Sequence, residues 1–185
     1  TDGEPPPVIE SDFANEYRSP EDLYARIHFE TERLGDYSEK YEMAFEIIDI
    51  KDSQRFPEHR KTGDVRDAES LRETITGDVV VNLAAVHRDD IRDPAEYWRT
   101  NVQGAENVAQ VCTEKCIEKI VFTSTVAVYG FAEPGTDESG EINPFNEYGK
   151  TKFHAEEVLR KWQKSGENAL IIVRPTVIFG EGNRG

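Results

Sequence analysis

A tyrosine and a lysine one helical turn apart, Tyr148 and Lys152, are the pair in this chain best suited to acid–base chemistry. They open a helical pattern running from 148 to 164, and positions i and i+4 of a helix share a face. Phenol and ammonium can therefore point into one cleft. A neighbouring ammonium favours the phenolate, drawing down a group whose reference pKa is about 10. The result is a proton acceptor usable near neutral pH, which oxidation of a sugar alcohol requires. Such pairs also arise by chance, as a surface aromatic beside a solvated lysine. Upstream of this one, however, an apolar strand pattern ends in hydroxyls, Thr123, Ser124 and Thr125, and runs on into Val128-Tyr129-Gly130.

Holding those side chains requires a sheet, and the chain offers strands and helices in alternation. A strand over 44–50 ends on Asp49, a shorter one is expected at 63–65, and a helix at 68–75. Residues 78–86 form a near-continuous apolar run, the pattern of a strand covered on both faces. Helix signals follow over 94–116 with Asp93 as cap, then a strand at 119–124 and a long loop to 146. The catalytic-type helix and a strand at 170–174 complete the series. This spacing implies a parallel α/β sheet. Ahead of it, residues 1–18 are acidic and rich in proline, the composition of an arm or tail. Ser19-Pro20-Glu21-Asp22 reads as a helix start. Leu23, Ile27 and Leu34 share a face, and Gly35 can end the helix. The chain thus divides into an acidic segment at 1–43 and an α/β domain at 44–185.

The strand end with Thr125, the Val128-Tyr129-Gly130 motif and the Tyr148/Lys152 spacing together resemble the extended short-chain dehydrogenase/reductase family. Its members include the NAD-dependent nucleotide-sugar epimerases and dehydratases. The resemblance runs from about Glu46 to Gly185. It implies a Rossmann-like, doubly wound parallel sheet, with Thr125, Tyr148 and Lys152 catalytic. Asp49 then falls where a doubly wound fold binds the adenosine ribose hydroxyls, favouring NAD over NADP, with Lys51 nearby softening the choice. Asp64 and Val65 match the adenine-contacting pair. Leu83, Ala84 and Ala85 match the strand end whose small side chains let backbone approach the cofactor. Asn101 matches an asparagine supporting that strand end and the active site. As a poor mid-helix residue, it also argues for a specific hydrogen bond. Pro175, within 174–180, matches the strand exit passing the nicotinamide. Thr136-Asp137-Glu138 matches the loop before the catalytic helix, and His87, just past the apolar run, falls where a substrate contact is expected. Each has a plainer reading as an ordinary strand-end acid, a close-packed core strand or a solvated loop.

One departure is large. The family starts with a strand, a glycine-rich loop and a helix whose amides hold the pyrophosphate. Before Glu46 the glycines are Gly3 and Gly35, and neither follows an apolar strand. The first strand of that fold is central, so the sheet is incomplete or rearranged at its amino-terminal unit. Either another segment or a second copy of the chain, making a homodimer, fills the slot, or the strand at 44–50 pairs directly beside 78–84. Without the loop the chain alone is expected to hold NAD weakly or not at all.

A net charge of −15 argues against nucleic-acid and membrane-surface partners. No apolar run approaches the roughly 18 residues of a membrane span. Residues 1–7 lack the pattern of a signal peptide. Cys112 and Cys116, spaced as helix residues, and His28, His59, His87 and His154 form no metal-ligand pattern. The expectation is a cytoplasmic enzyme exchanging hydride between a nucleotide sugar and NAD. The alternatives are a reductase of the same fold and a scaffold that has lost its cofactor.

Overall fold

The structure, a computed structural model, describes residues 34–36, 38–41, 43–87, 91 and 93–176. The acidic arm, the helix start at 19–22 with Leu23 and Ile27, His28, and residues 177–180 of the last strand exit lie outside them. Gly35 lies within a helical turn rather than ending a helix. Any side chain there would strike the Phe56 and Phe45 rings.

Strand β1 (Ile47–Asp49) pairs in parallel with β2 (Arg60–Thr62), Asp49 lying opposite Thr62. A 3-10 turn, Pro57–His59, leads into β2, and Phe45 stacks on His59 at 4.4 Å. The short strand expected at 63–65 is therefore displaced to Arg60–Thr62. Gly63 N–H still donates to the Asp49 carbonyl of β1, and the chain then leaves the sheet as Asp64 N–H turns to Ser70 Oγ. Helix α1 (Ala68–Thr74) starts at Asp67, whose carboxylate accepts from Glu69 N–H, a side-chain cap.

The second sheet orders β3 (Val79–Asn82), β4 (Lys119–Thr123) and β5 (Ala169–Val173), all parallel. Val80 faces Ile120, and Ile120 faces Leu170. Between β3 and β4 the chain forms α2 (Ala95–Tyr97), a π-helical stretch (Trp98–Gln103) and α3 (Gly104–Glu114) without a break. Asp93 accepts from Ala95 N–H at its start. Helix α4 (Glu147–Lys164) crosses from β4 to β5 and begins at Asn146, which accepts from Gly149 N–H. Ile120 and Phe122 of β4 pack under Val108, Val111 and Cys112 of α3 and Ala155 and Leu159 of α4, the centre of the core.

Two expectations about the sheet change. β1 pairs with β2 and β3 with β4, in separate sheets, so the strand at 44–50 does not close up beside 78–84 among the described residues. Nor do the described residues cover β3 on both faces. Val80 and Asn82 turn toward the helices, while Val79 and Val81, with Ile171 and Val173 of β5, stay exposed among the described residues. The cysteines part company as well. Cys112 is buried, and burial pushes its thiol up to about 12. Cys116 is exposed beyond the helix end at φ 57°, with its own N–H on the Thr113 carbonyl and Ile117 N–H on Cys112. That is a Schellman turn, usually built on glycine.

Candidate active site

The carboxyl ends of β3, β4 and β5 and the first two turns of α4 converge, where open α/β sheets bind ligands. Thr125 leaves β4 extended, and its Oγ1 accepts from Ala127 N–H to start a 3-10 turn, Val126–Tyr129. Val126 N–H donates to the Pro175 carbonyl at 3.1 Å, bringing the β5 exit alongside Thr125. Gly130 closes the turn at φ 65°, where a Cβ would lie 2.0 Å from the Asn143 carbonyl oxygen. Gly149 lets α4 approach the same turn, since a Cβ there would come within 2.6 Å of the Ala127 carbonyl.

Tyr148 and Lys152 sit one turn apart on α4. Tyr148 is half-buried and meets the His87 ring edge-on at 6.1 Å. Lys152 is 1 % exposed, its ammonium 4.1 Å above the Phe122 ring. Burial lowers its pKa to about 7, and the charge of Glu156 opposes that fall. Asn101 joins the β3 exit to this helix. Its carbonyl accepts from Val86 N–H at 2.7 Å, and its amide donates to the Val86 carbonyl at 2.9 Å and to Thr151 Oγ1 at 3.0 Å. Asn101 lies in the π-helical stretch, a distortion frequent at functional sites. Leu83, Ala84 and Ala85 continue from β3 in the segment Asn101 holds, and Ala84 N–H donates to Asn82 Oδ1.

Asp49 and Asp64 form a second cluster on the β1–β2 unit. Asp49 Oδ1 accepts from Lys51 N–H, so the flanking lysine meets the acid through its backbone. Asp64 takes both Nε and Nη2 of Arg66, and that guanidinium holds its carboxyl below the usual range. The Val65 side chain touches Gly104, and its carbonyl accepts from Asn107. Asp137 of the 136–138 loop turns onto Ser139 in an exposed bend. Among the described residues no group of three His, Cys, Asp or Glu could hold a metal ion. No helix there is long and apolar enough to cross a membrane.

Sequence reasoning did not single out Glu156, the residue that joins Ser124, Tyr129 and Arg174 of the quoted motifs. Glu156, fully buried, accepts from Ser124 Oγ at 2.6 Å and from Arg174 Nε and Nη2 at 2.8 and 2.6 Å. Arg174 also donates to the Tyr129 hydroxyl at 2.5 Å, and Glu156 lifts its pKa further. The available signal was an acid two turns after Tyr148 on the face that Lys152, Ala155 and Leu159 bury.

The geometry is that of a dinucleotide-fold site with a tyrosine–lysine helix, and comparison with known proteins gives its family. The profile of the NAD dependent epimerase/dehydratase family matches residues 16–185, and the chain belongs to that family. The match begins well before Glu46, where the motif resemblance started. A 4-epimerase of N-acetyl-alpha-D-glucosaminyl-diphospho-ditrans,octacis-undecaprenol from Escherichia coli O157:H7 is 48 % identical over 141 residues, 75 % of this chain and 43 % of that protein. A UDP-glucose 4-epimerase from Halalkalibacterium halodurans is 34 % identical, covering 56 % of this chain and 33 % of its own length. The chain thus spans less than half the length of these curated relatives. Among solved structures, UDP-glucose 4-epimerase from Brucella ovis in complex with NAD superposes with a TM-score of 0.59 at 29 % identity, over 62 % of this chain and 37 % of that one. A short-chain dehydrogenase/reductase superfamily protein from Agrobacterium tumefaciens with bound NAD reaches 0.71 at 23 %, covering 77 % and 44 %, and shares the Rossmann-like fold.

The donor set fits the two ends of an NAD molecule. A carboxylate, Asp49, closes a strand end, small side chains line the β3 exit, and a cation, Lys152, stands beside a phenol. For the diphosphate between them, the described residues offer no glycine-rich loop after a strand.

Proposed function

We propose that this chain carries the proton-transfer and ribose-binding part of an NAD-dependent 4-epimerase whose substrate is a sugar attached through a diphosphate. One observation carries the reading: Tyr148 and the sealed Lys152 share one face of α4, directly across from the turn that starts at Thr125. NAD, when bound, supplies the hydride acceptor and donor. Thr125 Oγ1 holds the reacting sugar oxygen, and Tyr148, as phenolate, takes its proton and later returns it. Lys152 binds the nicotinamide ribose hydroxyls, and its charge favours the phenolate. Asn101 keeps the β3 exit and α4 in register, so Leu83, Ala84 and Ala85 pass close to the cofactor. Pro175 borders the nicotinamide, and His87 touches the sugar beside Tyr148. Asp49 receives the adenosine ribose hydroxyls, while Asp64 and Val65 flank the adenine. A reductase would use the same residues but consume reduced cofactor, so stoichiometry separates the two.

The carrier on the diphosphate divides the relatives. A nucleotide fits those named for UDP-glucose. Undecaprenol fits the relative at 48 % identity, and that identity favours the lipid carrier. The test supplies the chain with saturating NAD and either UDP-glucose or the undecaprenyl-diphosphate sugar, and follows the epimer by chromatography. Tyr148→Phe should lower the rate about a thousandfold with the circular dichroism spectrum unchanged. Activity within about tenfold of the parent would remove Tyr148 as the base.

A further inference from the structure

The buried carboxylate of Glu156 has no part in the chemistry above, yet it touches three of the segments that build the site. It lies one turn beyond Lys152 on α4, so the two side chains share a face. Ser124 Oγ, which it accepts, directly precedes Thr125 at the β4 exit. The Arg174 fork that grips both its oxygens directly precedes Pro175 at the β5 exit. Through Arg174 the contact reaches Tyr129, at the far end of the turn that Thr125 begins. A carboxylate with 0 % exposure is costly to bury unless its lone pairs are filled, and here two oxygens take three short hydrogen bonds.

We propose that Glu156 is the positioning residue of this site: it locks the β4 exit, α4 and the β5 exit together, and its negative charge stands against that of Lys152 one turn away. The proposal rests on the reading of Lys152 as a site residue. A core of apolar side chains could fix the same backbone, but it would leave the buried amine without a compensating charge.

The other charged and titratable groups around Lys152 do not supply one. Tyr148 and the exposed His154 and Arg160 are on its own helix. From the β5 exit comes Arg174, a like charge, and from the 3-10 turn Tyr129, which accepts from Arg174. On α2 and the π-helical stretch, Glu96 and Arg99 are exposed and paired with each other. On α3, Glu114 is taken by Arg72, and Glu106 faces solvent. Beneath the ammonium, β4 offers the Phe122 ring.

The measurement is the titration midpoint of the Lys152 Cε resonance in the 13C-lysine-labelled chain, assigned by its loss in Lys152→Met. It needs neither cofactor nor sugar, so its result is independent of whether the chain epimerises anything. Glu156→Gln should lower the midpoint by at least about one pH unit, because Arg174 then faces Lys152 uncompensated. Arg174→Gln should raise it, since the carboxylate then acts on Lys152 with the exposed Arg160, 3.7 Å away, as a weaker competing cation. A role confined to holding the backbone would shift both midpoints the same way or neither. Either of those results in folded variants overturns the proposal. Where a single variant fails to fold, Glu156→Gln/Arg174→Gln removes the stranded charge. Its midpoint should still fall, by less than in Glu156→Gln, and an unchanged midpoint there overturns the proposal equally.

Discussion

The β1–β2 unit carries acids at strand exits, the β4–β5 end of the larger sheet packs a helix acid against them, and the two ends treat these acids differently. Around Asp49 and Asp64 the ion pairs lie near solvent: Lys61 with Glu46, Arg60 with Asp52, Arg66 with Asp64 and Glu96. The strands there are three residues long, and Ile47 is the one fully buried side chain among them. At the other end Glu156 and Lys152 are sealed between α4 and β4, above the main core. On the proposed reading the contrast follows from two tasks. Ribose hydroxyls are recognised by an accessible carboxylate that exchanges water for ligand. A proton acceptor must be held at one potential, which calls for a dry and rigid surround where charges act strongly.

That comparison can be broken by stability measurements. Leu159→Ala, beside Glu156 in the core, should cost about 2–5 kcal/mol in urea unfolding. A far smaller loss would mean that the Lys152–Glu156 end is not the rigid part. Next comes pH. Burial holds Lys152 at about 7 against an ordinary 10.5, so between these values the unfolded chain binds a proton that the folded chain does not. Stability should therefore rise with pH across that window, approaching a slope of about 1.4 kcal/mol per unit from this residue. The full penalty applies below it. Lys152→Met should flatten the curve from pH 7 to 10.5, and an unchanged slope would assign the charge control elsewhere. The smallest effect belongs to the other unit. Lys61→Met removes the 2.6 Å pair with Glu46, a solvent-screened contact worth about 1 kcal/mol or less. A loss matching that of Leu159→Ala would erase the distinction between the two ends.

Much of the layout around Tyr148 and Lys152 could be read from residue order, because its signals are local. An apolar strand ending in hydroxyls and a tyrosine one turn ahead of a lysine need no knowledge of distant partners. β2 was misplaced for the opposite reason. Arg60, Lys61 and Thr62 have no apolar alternation, and they become a strand only by pairing with Ile47–Asp49. Glu156 escaped because a charged residue on a helix is ordinarily solvated. Its burial depends on Ser124 and Arg174, both distant in sequence. The separation of β1 from β3 was likewise a matter of long-range pairing, which hydrophobic pattern alone leaves open.

The π-helical stretch at Trp98–Gln103 has a consequence for how this chain tolerates insertion and deletion. Gly104 N–H donates to the Arg99 carbonyl five residues back, so the helix holds one residue more than a regular path would. Removing any single residue between Trp98 and Gln103 would let the ladder return to ordinary α-helical spacing. The flanking segments would keep their relation, because the wide turn had absorbed the extra residue, and the side chains inside the stretch would be re-aimed. Asn101 would swing off Val86 and Thr151 while Val108, Val111 and Cys112 kept their places in the core. A one-residue deletion here would therefore produce a better-formed helix and a worse site. Length changes in this helix are constrained by the amide they aim, not by the helix itself.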